Sequence, residues 1–403
     1  METESLESLL PQEPVLQITN SCRDHCFNYQ FKFNERRIKN VIALAFLTVV
    51  FVTIYHREIL ITKLYPEEDI PFIIPEQQTN SELRVNKTDL RSVTNKTMFV
   101  DVKDIKQSVR NIFFTETTCG AEALKKSFSD TRKLILKPRQ VCAIESTALT
   151  NPEHYIYILY TCPLDGLIYF PDYAKSIVTL PNIFIVQLNL TEFFNNTPVQ
   201  DLYKSRTMET SSHPKEHFSD LLRYIVLWKF GGTYLDLDVV TIKSLLDLGS
   251  NFAGVEDWSV INSAVLNVDS MGNGHELVQK ALQYVNKHFD GNGWISNGPE
   301  VLTKMILKEC NKEKIDEELL KCDKFHLFPS TYFYHIHWTR EEDFFNSTLG
   351  PDIVEDLKNH SYVVHMWNKI SNSHVVKIGS NQAYGLLAEE FCPNVIENSG
   401  GEF

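Results

Sequence analysis

The 403-residue sequence lacks the short motifs that identify several large enzyme classes. It contains no HExxH, no GxSxG and no P-loop, which argues against zinc metalloproteases, serine α/β-hydrolases and P-loop nucleotidases. The segment 272–274 (GNG) is typical of a turn and not of a dinucleotide-binding loop. No internal repeat is evident, so a solenoid is not expected. The chemistry of this protein therefore depends on a less common pattern.

The chain also has little positive charge. Its 39 Lys and Arg residues are outnumbered by 52 Asp and Glu residues, and the formal net charge is −13. Because affinity for phosphate backbones comes from dense Lys and Arg, a general nucleic-acid-binding protein is not expected. Hydrophobic residues make up 43% of the chain, which is enough for one substantial core and argues against disorder throughout.

Long hydrophobic runs are scarce, and the most apolar one spans 41–55 without a charged residue. It is shorter than the ~20 residues that cross an average bilayer, and this length is also typical of a buried core helix. However, Lys32, Arg36, Arg37 and Lys39 lie before it and acidic residues follow it, which favours a cytoplasmic N-terminus. The run also begins too late for a cleaved signal peptide. We therefore predict an N-terminal transmembrane helix in a single-pass type II membrane protein.

This topology divides the chain into five predicted parts. They are a cytoplasmic tail (1–40), a signal-anchor (41–61), a polar luminal stem (62–108), a folded domain (109–395) and a C-terminal tail (396–403). All six N-glycosylation sequons lie after the anchor, as a luminal domain requires. The sequons begin at Asn86, Asn95, Asn189, Asn195, Asn346 and Asn359.

The distribution of the eight cysteines agrees with this topology. Cys22 and Cys26 fall in the predicted cytoplasmic tail, where a reducing environment keeps them free or open to acylation. The luminal cysteines are even in number and allow up to three disulfides: Cys119, Cys142, Cys162, Cys310, Cys322 and Cys392. Only the pairing of Cys310 with Cys322 is suggested by nearness in the sequence, and the other pairings stay open.

Hydrophobic periodicity predicts an α/β domain. Continuous apolar runs predict strands at 111–116, 155–160 and 183–188, and a helical pattern spans 141–149. Strands that alternate with helices indicate a parallel or mixed sheet.

The clearest helix is predicted at 217–230, and the following glycine pair is expected to end it with a left-handed cap. A short strand at 233–237 then delivers Asp236 and Asp238 at its carboxyl end, where open α/β sheets bind their ligands. Residues two apart on an extended segment point the same way, so both carboxylates can bind one cation. Such oxygen ligands suit Mn²⁺ or Mg²⁺, with substrate phosphates at the remaining positions.

A lone DxD is more often a solvated turn than a metal site, but here the preceding helix carries further polar residues. Asp220 and Arg223 are spaced i, i+3 on a helix face away from the apolar stripe. Their simple interpretation is an intrahelical ion pair. Their functional interpretation, which the nearby DxD favours, is a carboxylate and a guanidinium that bind sugar hydroxyls and a phosphate.

The segment 219–238 (SDLLRYIVLWKFGGTYLDLD) resembles the central signature of the α-1,4-glycosyltransferases, the group of lactosylceramide α-1,4-galactosyltransferase and α-1,4-N-acetylglucosaminyltransferase. It is more distantly similar to the glycosyltransferases of large clostridial toxins. Further similar segments are 112–117 (IFFTET), 142–147 (CAIEST), 262–265 (NSAV), 297–303 (NGPEVLT), 328–329 (FP) and 364–368 (VHMWN). The similarity thus spans nearly the whole predicted luminal domain.

This resemblance implies a GT-A fold, a Rossmann-like mixed sheet flanked by helices, in a Golgi enzyme. It implies a UDP-sugar donor, a divalent cation, a glycosphingolipid or related glycan as acceptor, and an α-1,4 linkage formed with retention of configuration. Asp236 and Asp238 would coordinate the metal and the diphosphate. Asp220, Arg223 and Tyr234 would line the donor sugar and its phosphate.

The resemblance also implies roles in donor binding outside the central signature, for Phe114, Thr115 and Asn262. His365 is expected to be a third contact to the metal or the diphosphate, although a core histidine that donates to a carbonyl is an equal alternative. Trp367 is expected to close over the donor, or else to pack in the core.

One departure from the family pattern is Ser263, where the family usually has glycine, and this side chain is expected to alter donor-sugar or acceptor fit. Galactose and N-acetylgalactosamine are favoured as the donor sugar over N-acetylglucosamine. Because a metal-bound diphosphate leaves readily, we name no general acid. A carboxylate nucleophile and same-face attack both stay open, and the sequence indicates no oligomeric state.

Two rival interpretations come from other functional classes. The segment 236–240 (DLDVV) also fits the nucleophile motif of haloacid-dehalogenase phosphatases, but such an enzyme would begin its domain with this strand, and here three predicted strands precede it. A catalytically silent, glycan-binding ectodomain would keep the anchor, the sequons and the disulfides.

Overall fold

A seven-stranded mixed sheet forms the centre of the folded domain in the computed structural model, which describes residues 83–86, 98–118, 136–162 and 167–403. The strands are β1 (Leu83–Asn86), β2 (Asn111–Glu116), β3 (Tyr155–Tyr160), β4 (Leu167–Phe170), β5 (Ile183–Gln187), β6 (Gly232–Leu235), β7 (Val239–Thr241), β8 (Phe252–Asp257), β9 (Val260–Val268), β10 (His326–Phe328) and β11 (Val363–His365). The helices are α1 (Pro138–Thr150), α2 (Lys175–Thr179), α3 (Leu190–Phe194), α4 (Gln200–Ser205), α5 (Pro214–Phe230), α6 (Asn273–His288), α7 (Pro299–Glu309), α8 (Gly350–His360), α9 (Asn368–Ser371), α10 (Ala383–Phe391) and α11 (Pro393–Asn398).

The main sheet has the strand order β10-β8-β9-β6-β2-β3-β5. Strands β6, β2, β3 and β5 are parallel, whereas β9 runs antiparallel to both of its neighbours, β6 and β8. Two small antiparallel pairs, β1 with β4 and β7 with β11, lie outside it. The prediction of a parallel or mixed sheet in an α/β domain is therefore confirmed, and the predicted strands at 111–116 and 155–160 have the observed bounds.

Hydrophobic cores lie on both faces of the sheet, because successive side chains of a strand point to opposite sides. In β2, Ile112 and Phe114 belong to one core and Phe113 to the other. Helix α1 packs into the first core and α5 into the second. The sheet is thus covered by helices on both faces, as a parallel sheet requires.

Within the described ranges, no helix combines the length and the apolar character that crossing a bilayer requires. The predicted anchor at 41–61 lies outside the described residues, as does most of the predicted stem.

The end of the predicted stem and the predicted C-terminal tail both pack against the domain. Met98 and Phe99 are buried, and the carbonyl of Met98 accepts a hydrogen bond from the backbone N–H of Ile185 in β5. At the other end, Val376 and Phe403 exchange both of their backbone hydrogen bonds. The chain near both of these boundaries is therefore held by backbone pairing.

Disulfides tie two parts of the chain together. Cys142 in α1 is bonded to Cys392, which lies directly before α11, across 250 residues. Cys310 is bonded to Cys322, which confirms the one pairing suggested by nearness in the sequence. Cys162 is also disulfide-bonded.

Helix α5 begins at Pro214, three residues before the predicted start, because proline is well tolerated in the first turn of a helix. At its end, Gly231 has φ 63° and ψ −175°, so the predicted left-handed cap is wrong in detail: φ is positive but ψ is extended. Gly232 also has a positive φ, and a Cβ at this position would lie 2.3 Å from the backbone oxygen of Asn111. Only glycine fits this close approach of β6 to β2.

The strand after this turn is shorter than predicted. β6 ends at Leu235, so Asp236 lies just after the strand, and Asp238 lies in the turn at 237–238 that precedes β7. The backbone N–H of Asp236 donates to the oxygen of Ala264 in β9 at 2.9 Å. The turn is thereby fixed at the carboxyl edge of the parallel strands.

Candidate active site

Strand pairing brings a histidine from the C-terminal part of the chain to the two aspartates. β11 pairs antiparallel with β7, and His365 lies opposite Val239. The His365 Nε2 atom is 3.2 Å from Asp238 Oδ1 and 3.9 Å from Asp236 Oδ2. One ligand atom from each of the three side chains lies within 4.8 Å of the others. We call these three residues, Asp236, Asp238 and His365, the triad.

The triad has the ligand atoms of a divalent-cation site. Two carboxylates and one imidazole suit Mn²⁺, and Asp236 and Asp238 keep 25% and 20% of their side chains exposed. A cation there would retain open positions for phosphate oxygens. The residues present therefore fit the cation that the resemblance implies.

Two further clusters of histidine and carboxylate occur in the described part of the chain. One consists of His335, Asp356 and His360, and its Asp356 and His360 side chains are exposed. The other, Glu256, Asp257 and His337, lies beside Asn262. Neither contains the DxD residues.

Asp236 is held from behind by buried groups. The hydroxyl of Tyr234 donates to Asp236 Oδ1 at 2.6 Å, and Arg223 Nη2 lies 3.2 Å from the same oxygen. Burial favours the neutral acid, but the Arg223 guanidinium and His365 outweigh burial and lower the pKa of Asp236 to about 2. Asp236 is thus an anion at any physiological pH.

Asp238 is held by the backbone after β11. Its Oδ2 accepts a hydrogen bond from the N–H of Asn368 at 3.0 Å, and its carbonyl accepts one from Met366. Between these two donors, Trp367 has φ 54° and ψ 40°, a left-handed conformation that is strained for a tryptophan. This conformation places the backbone N–H groups of Met366 and Asn368, on either side of Trp367, against Asp238.

The Trp367 side chain is packed and not open to a ligand. Only 9% of the residue is exposed, and its indole N–H donates to the carbonyl of Ile336 at 2.8 Å. Its ring meets that of His365 edge to face, with 4.1 Å between centroids. Trp367 therefore packs against His365 and orients it. Of the two expectations for Trp367, packing in the core is the one that this position supports.

His365 lies between two negative charges. Burial alone would lower its pKa, but the Asp238 and Asp236 carboxylates outweigh burial and raise the pKa of His365 to about 10. The imidazolium occupies the electrostatic position that a cation would take, so cation binding through Nε2 must release its proton.

Arg223 links three parts of the site. It pairs with Asp220 at 3.3 Å, with Asp236 at 3.2 Å, and its Nη1 donates to the Ser263 hydroxyl at 2.8 Å. Its guanidinium also lies over the Tyr234 ring, 4.7 Å from the centroid. The intrahelical ion pair is therefore present, and it extends to the DxD turn.

Asp220 is buried at the side of this arrangement. Only 4% of the residue is exposed, and a Cβ on Gly298 would lie 2.2 Å from its Oδ1. Burial, only partly offset by Arg223, raises the pKa of Asp220 to about 7. The carboxyl group can therefore be a hydrogen-bond donor or acceptor near neutral pH.

Of the other predicted donor-binding residues, two lie beside the triad. Thr115 Oγ1 is 3.3 Å from the Tyr234 hydroxyl, and Asn262 Oδ1 accepts from the N–H of Ala264. Phe114, in contrast, is completely buried in the core, because it occupies the opposite face of β2 from the Thr115 side chain. Its side chain is not brought to the site.

Several residues of the site were missed from the sequence. Ser219 lies within hydrogen-bonding distance of Tyr234 and of Arg223, and only its place at the start of the signature pointed to it. Asn368 acts through its backbone, which residue type does not reveal. Ser263 was identified as a departure from the family, and the structure shows that it contacts Arg223 and is itself completely buried.

Comparisons with known proteins show the family to which the chain belongs. Residues 137–254 match the glycosyltransferase sugar-binding region containing the DXD motif, and residues 270–399 match the α-1,4-glycosyltransferase conserved region. The lactosylceramide 4-alpha-galactosyltransferase of Mus musculus is 30% identical over 255 residues, 63% of this chain and 69% of that protein. The alpha-1,4-N-acetylglucosaminyltransferase of Homo sapiens is 23% identical over 277 residues, 66% of this chain and 78% of that protein.

A solved structure, the apo-form glycosyltransferase GlyE of Streptococcus pneumoniae, overlaps with a TM-score of 0.36 at 15% identity, covering 73% of this chain and 63% of that one. The regions matched by the two family models include the DxD turn, within 137–254, and the strand of His365, within 270–399. The chain belongs to the α-1,4-glycosyltransferase family.

Proposed function

We propose that this chain is a retaining GT-A glycosyltransferase of the Golgi membrane. It transfers galactose or an N-acetylhexosamine from a UDP-sugar, in α-1,4 linkage, to a glycosphingolipid or a related glycan. The observation that carries the proposal is the triad, whose ligand atoms lie within 4.8 Å of one another at the carboxyl edge of the sheet. Family membership supports the transferase class.

The site chemistry follows from how the triad is held. Asp236, Asp238 and His365 would hold Mn²⁺ or Mg²⁺, which when bound stabilises the negative charge of the departing diphosphate. Tyr234 and Arg223 keep the Asp236 carboxylate ionised and oriented, and the Asn368 N–H donates to Asp238 and orients its carboxylate. No general acid is required at the leaving group.

The donor nucleotide is assigned to the carboxyl edge of β2 and β6, beside Thr115 and Tyr234. Ligands of open α/β sheets bind at this edge. The buried pair of Asp220 and Arg223 lies beside Asp236 at this edge, and we assign it contacts to the donor sugar and its phosphate. Galactose and N-acetylgalactosamine are the favoured sugars. The printed name of the mouse relative, which specifies lactosylceramide, supports a glycolipid acceptor.

A luminal position behind a signal-anchor at 41–61 completes the proposal. The four sequon asparagines from Asn189 onward are all exposed, so each is accessible to glycosylation on the luminal side: Asn189, Asn195, Asn346 and Asn359. Two disulfides with both partners among the described residues suit an oxidising compartment.

The test is a panel of UDP-sugars offered to the full-length protein in detergent, with Mn²⁺ and with neutral glycosphingolipids as acceptors. We expect Mn²⁺-dependent release of UDP from one donor and an elongated glycolipid that an α-specific glycosidase shortens again. Magnesium should replace manganese at least in part. Lack of UDP release from every donor would contradict the proposal.

The same assay separates the two rivals. Phosphate release from a generic phosphate ester would indicate the haloacid-dehalogenase interpretation, which the order of strands β2, β3 and β5 before the DxD turn disfavours. Binding of glycans without UDP release would indicate a catalytically silent ectodomain.

A further inference from the structure

A cavity of about 660 Å³ lies between the β8–β9 hairpin and one face of α7. Its walls include Glu256 and Val260 from the two strands, Thr303 from α7, and Trp338 from the segment after β10. The volume is within the range of about 300–1,000 Å³ that is usual for ligand sites. None of its lining residues comes from β2 or β6, so the cavity is separate from the proposed nucleotide position.

Glu256, in the wall of the cavity, is connected to Asp236 of the triad by a short chain of hydrogen bonds. Asn262 Nδ2 donates to Glu256 Oε2 at 2.5 Å, and Asn262 Oδ1 accepts from the N–H of Ala264 at 2.8 Å. The carbonyl of Ala264 in turn accepts from the N–H of Asp236 at 2.9 Å. One wall of the cavity is therefore linked to the DxD turn through Asn262 and Ala264.

One polar side chain in the wall of the cavity keeps an acceptor oxygen for a ligand. Glu256 Oε1 accepts no hydrogen bond from the described residues, although only 10% of the Glu256 side chain is exposed. His337 Nε2 lies 3.9 Å from Glu256 Oε1 and 3.5 Å from Asp257 Oδ2. Glu256 Oε1 can therefore accept a hydrogen bond from a hydroxyl group of a ligand in the cavity.

The other lining residues of the cavity suit a sugar ring. Trp338 lines it with 45% of the residue exposed, and an indole face packs well against the C–H face of a pyranose ring. The lining carries three lysines and three carboxylates, so it has no net charge to select an anion. A polar but uncharged ligand fits this mixture.

We infer that this cavity binds the acceptor glycan, with Trp338 under a sugar ring and with Glu256 accepting a hydrogen bond from a sugar hydroxyl. The inference rests on the proposed function, because only a transferase needs a second sugar beside its donor. Glu256 is a positioning residue for the acceptor in this account.

The inference is tested by separating two activities of the full-length protein. UDP release from the donor with Mn²⁺ and without acceptor reports donor binding, and transfer to a glycan acceptor reports both subsites. For Trp338→Ala we expect the acceptor KM to rise about tenfold, with acceptor-free UDP release within about twofold of wild type. Trp338→Phe should restore much of the acceptor affinity, because it keeps an aromatic face.

For Glu256→Gln we expect kcat/KM for the acceptor to fall about tenfold or more, again with acceptor-free UDP release nearly unchanged. The matched control is Trp258→Ala. Trp258 is 61% exposed on the same hairpin but does not line the cavity, so both activities should stay at wild-type levels.

The outcomes distinguish this inference from the proposed function. If wild type releases no UDP from any donor, the proposed function fails. If wild type is active but both variants keep the wild-type acceptor KM, only the acceptor site is wrong. A parallel loss of acceptor-free UDP release would also overturn the inference, as would loss of one bound Mn²⁺ from Glu256→Gln, since the Glu256, Asp257 and His337 cluster would then hold a cation.

Discussion

Arg223 Nη2 lies 3.2 Å from Asp236 Oδ1, and both atoms belong to side chains at the floor of the site, the arginine 7% exposed and the aspartate 25%. A buried guanidinium is therefore paired with one carboxylate of the triad. This arrangement keeps Asp236 ionised and fixes its second oxygen toward Asp238 and His365. It also connects helix α5, which carries the first half of the signature, to the turn that carries the second half.

Replacement of Arg223 by lysine tests this connection. Lysine keeps the charge but cannot reach Asp220, Asp236 and Ser263 together, because it lacks the planar fork of donors. We expect kcat/KM to fall about tenfold or more, with a loss of stability of about 1–3 kcal/mol. Steady-state kinetics and thermal unfolding measure the two effects.

The control for this exchange is Arg340→Lys. Arg340 pairs with Asp343 at the surface with 64% of its side chain exposed, so its replacement should change neither quantity noticeably. Wild-type kinetics in Arg223→Lys would show that the guanidinium is not needed to hold Asp236.

The Tyr234 hydroxyl is expected to tune the cation affinity of the site. In Tyr234→Phe, Asp236 loses a 2.6 Å hydrogen bond, and hydrogen bonds to charged groups contribute about 1.5–3 kcal/mol. The Mn²⁺ concentration for half-maximal activity should therefore rise about tenfold or more. Tyr224→Phe is the matched control, because the Tyr224 hydroxyl is equally buried but donates to the carbonyl of Gly298. An unchanged Mn²⁺ requirement in Tyr234→Phe would speak against this role.

The two described disulfides should differ in their contribution to stability. The bond between Cys142 and Cys392 closes a loop of 250 residues, whereas that between Cys310 and Cys322 closes one of 12. In the chain-entropy description, removal of the bond with the longer loop should lower the unfolding free energy by about 2–3 kcal/mol more than removal of the bond with the shorter loop. Thermal unfolding of the two Cys-to-Ala double variants provides the comparison. Equal destabilisation would show that native-state strain or residual structure controls both bonds.

Glu145 should make stability depend on pH. It is buried in α1 and accepts hydrogen bonds from the N–H groups of Asn394 and Val395 at the start of α11. Burial raises the pKa of Glu145 above its ordinary value despite these bonds. The folded state then binds the proton more tightly than the unfolded state, so protonation of Glu145 stabilises the fold. This contribution to the free energy of unfolding is fully present below the unfolded pKa of about 4.3, and it is lost as pH rises through the folded pKa.

The comparison of wild type with Glu145→Gln isolates this effect. Glutamine keeps an acceptor oxygen but does not ionise. The unfolding free energy of Glu145→Gln relative to wild type should therefore increase as pH rises from about 4 to 7. Unfolding free energies at several pH values measure the difference. A difference that is constant across this range would contradict the raised pKa.

Much of the fold was predictable because local patterns determine it. The strands at 111–116 and 155–160 are continuous apolar runs buried on both faces, and the long helix α5 carries a clear apolar stripe. The end of β6 was predicted two residues too late, because neither glycine nor proline marks the turn at 237–238. The packed C-terminus was missed because Val376 and Phe403 are joined by backbone pairing.

The site was harder to predict because it is assembled by distant pairing. His365 reaches the DxD turn only through the β7–β11 pair, and nothing local to it indicates a ligand. The positive φ of Trp367, which aims the Asn368 N–H, has no sequence signal, because tryptophan rarely adopts it. The metal role of the triad stays a prediction.

The most direct test of the account is Mn²⁺ binding to the full-length protein in the presence of UDP, followed by electron paramagnetic resonance. We predict that Asp238→Asn loses the triad-bound Mn²⁺ and nearly all transfer, while Asp356→Asn, in the exposed histidine cluster, keeps both. An Asp238→Asn protein that binds Mn²⁺ as wild type does and turns over at a near-normal rate would contradict the cation role of the triad.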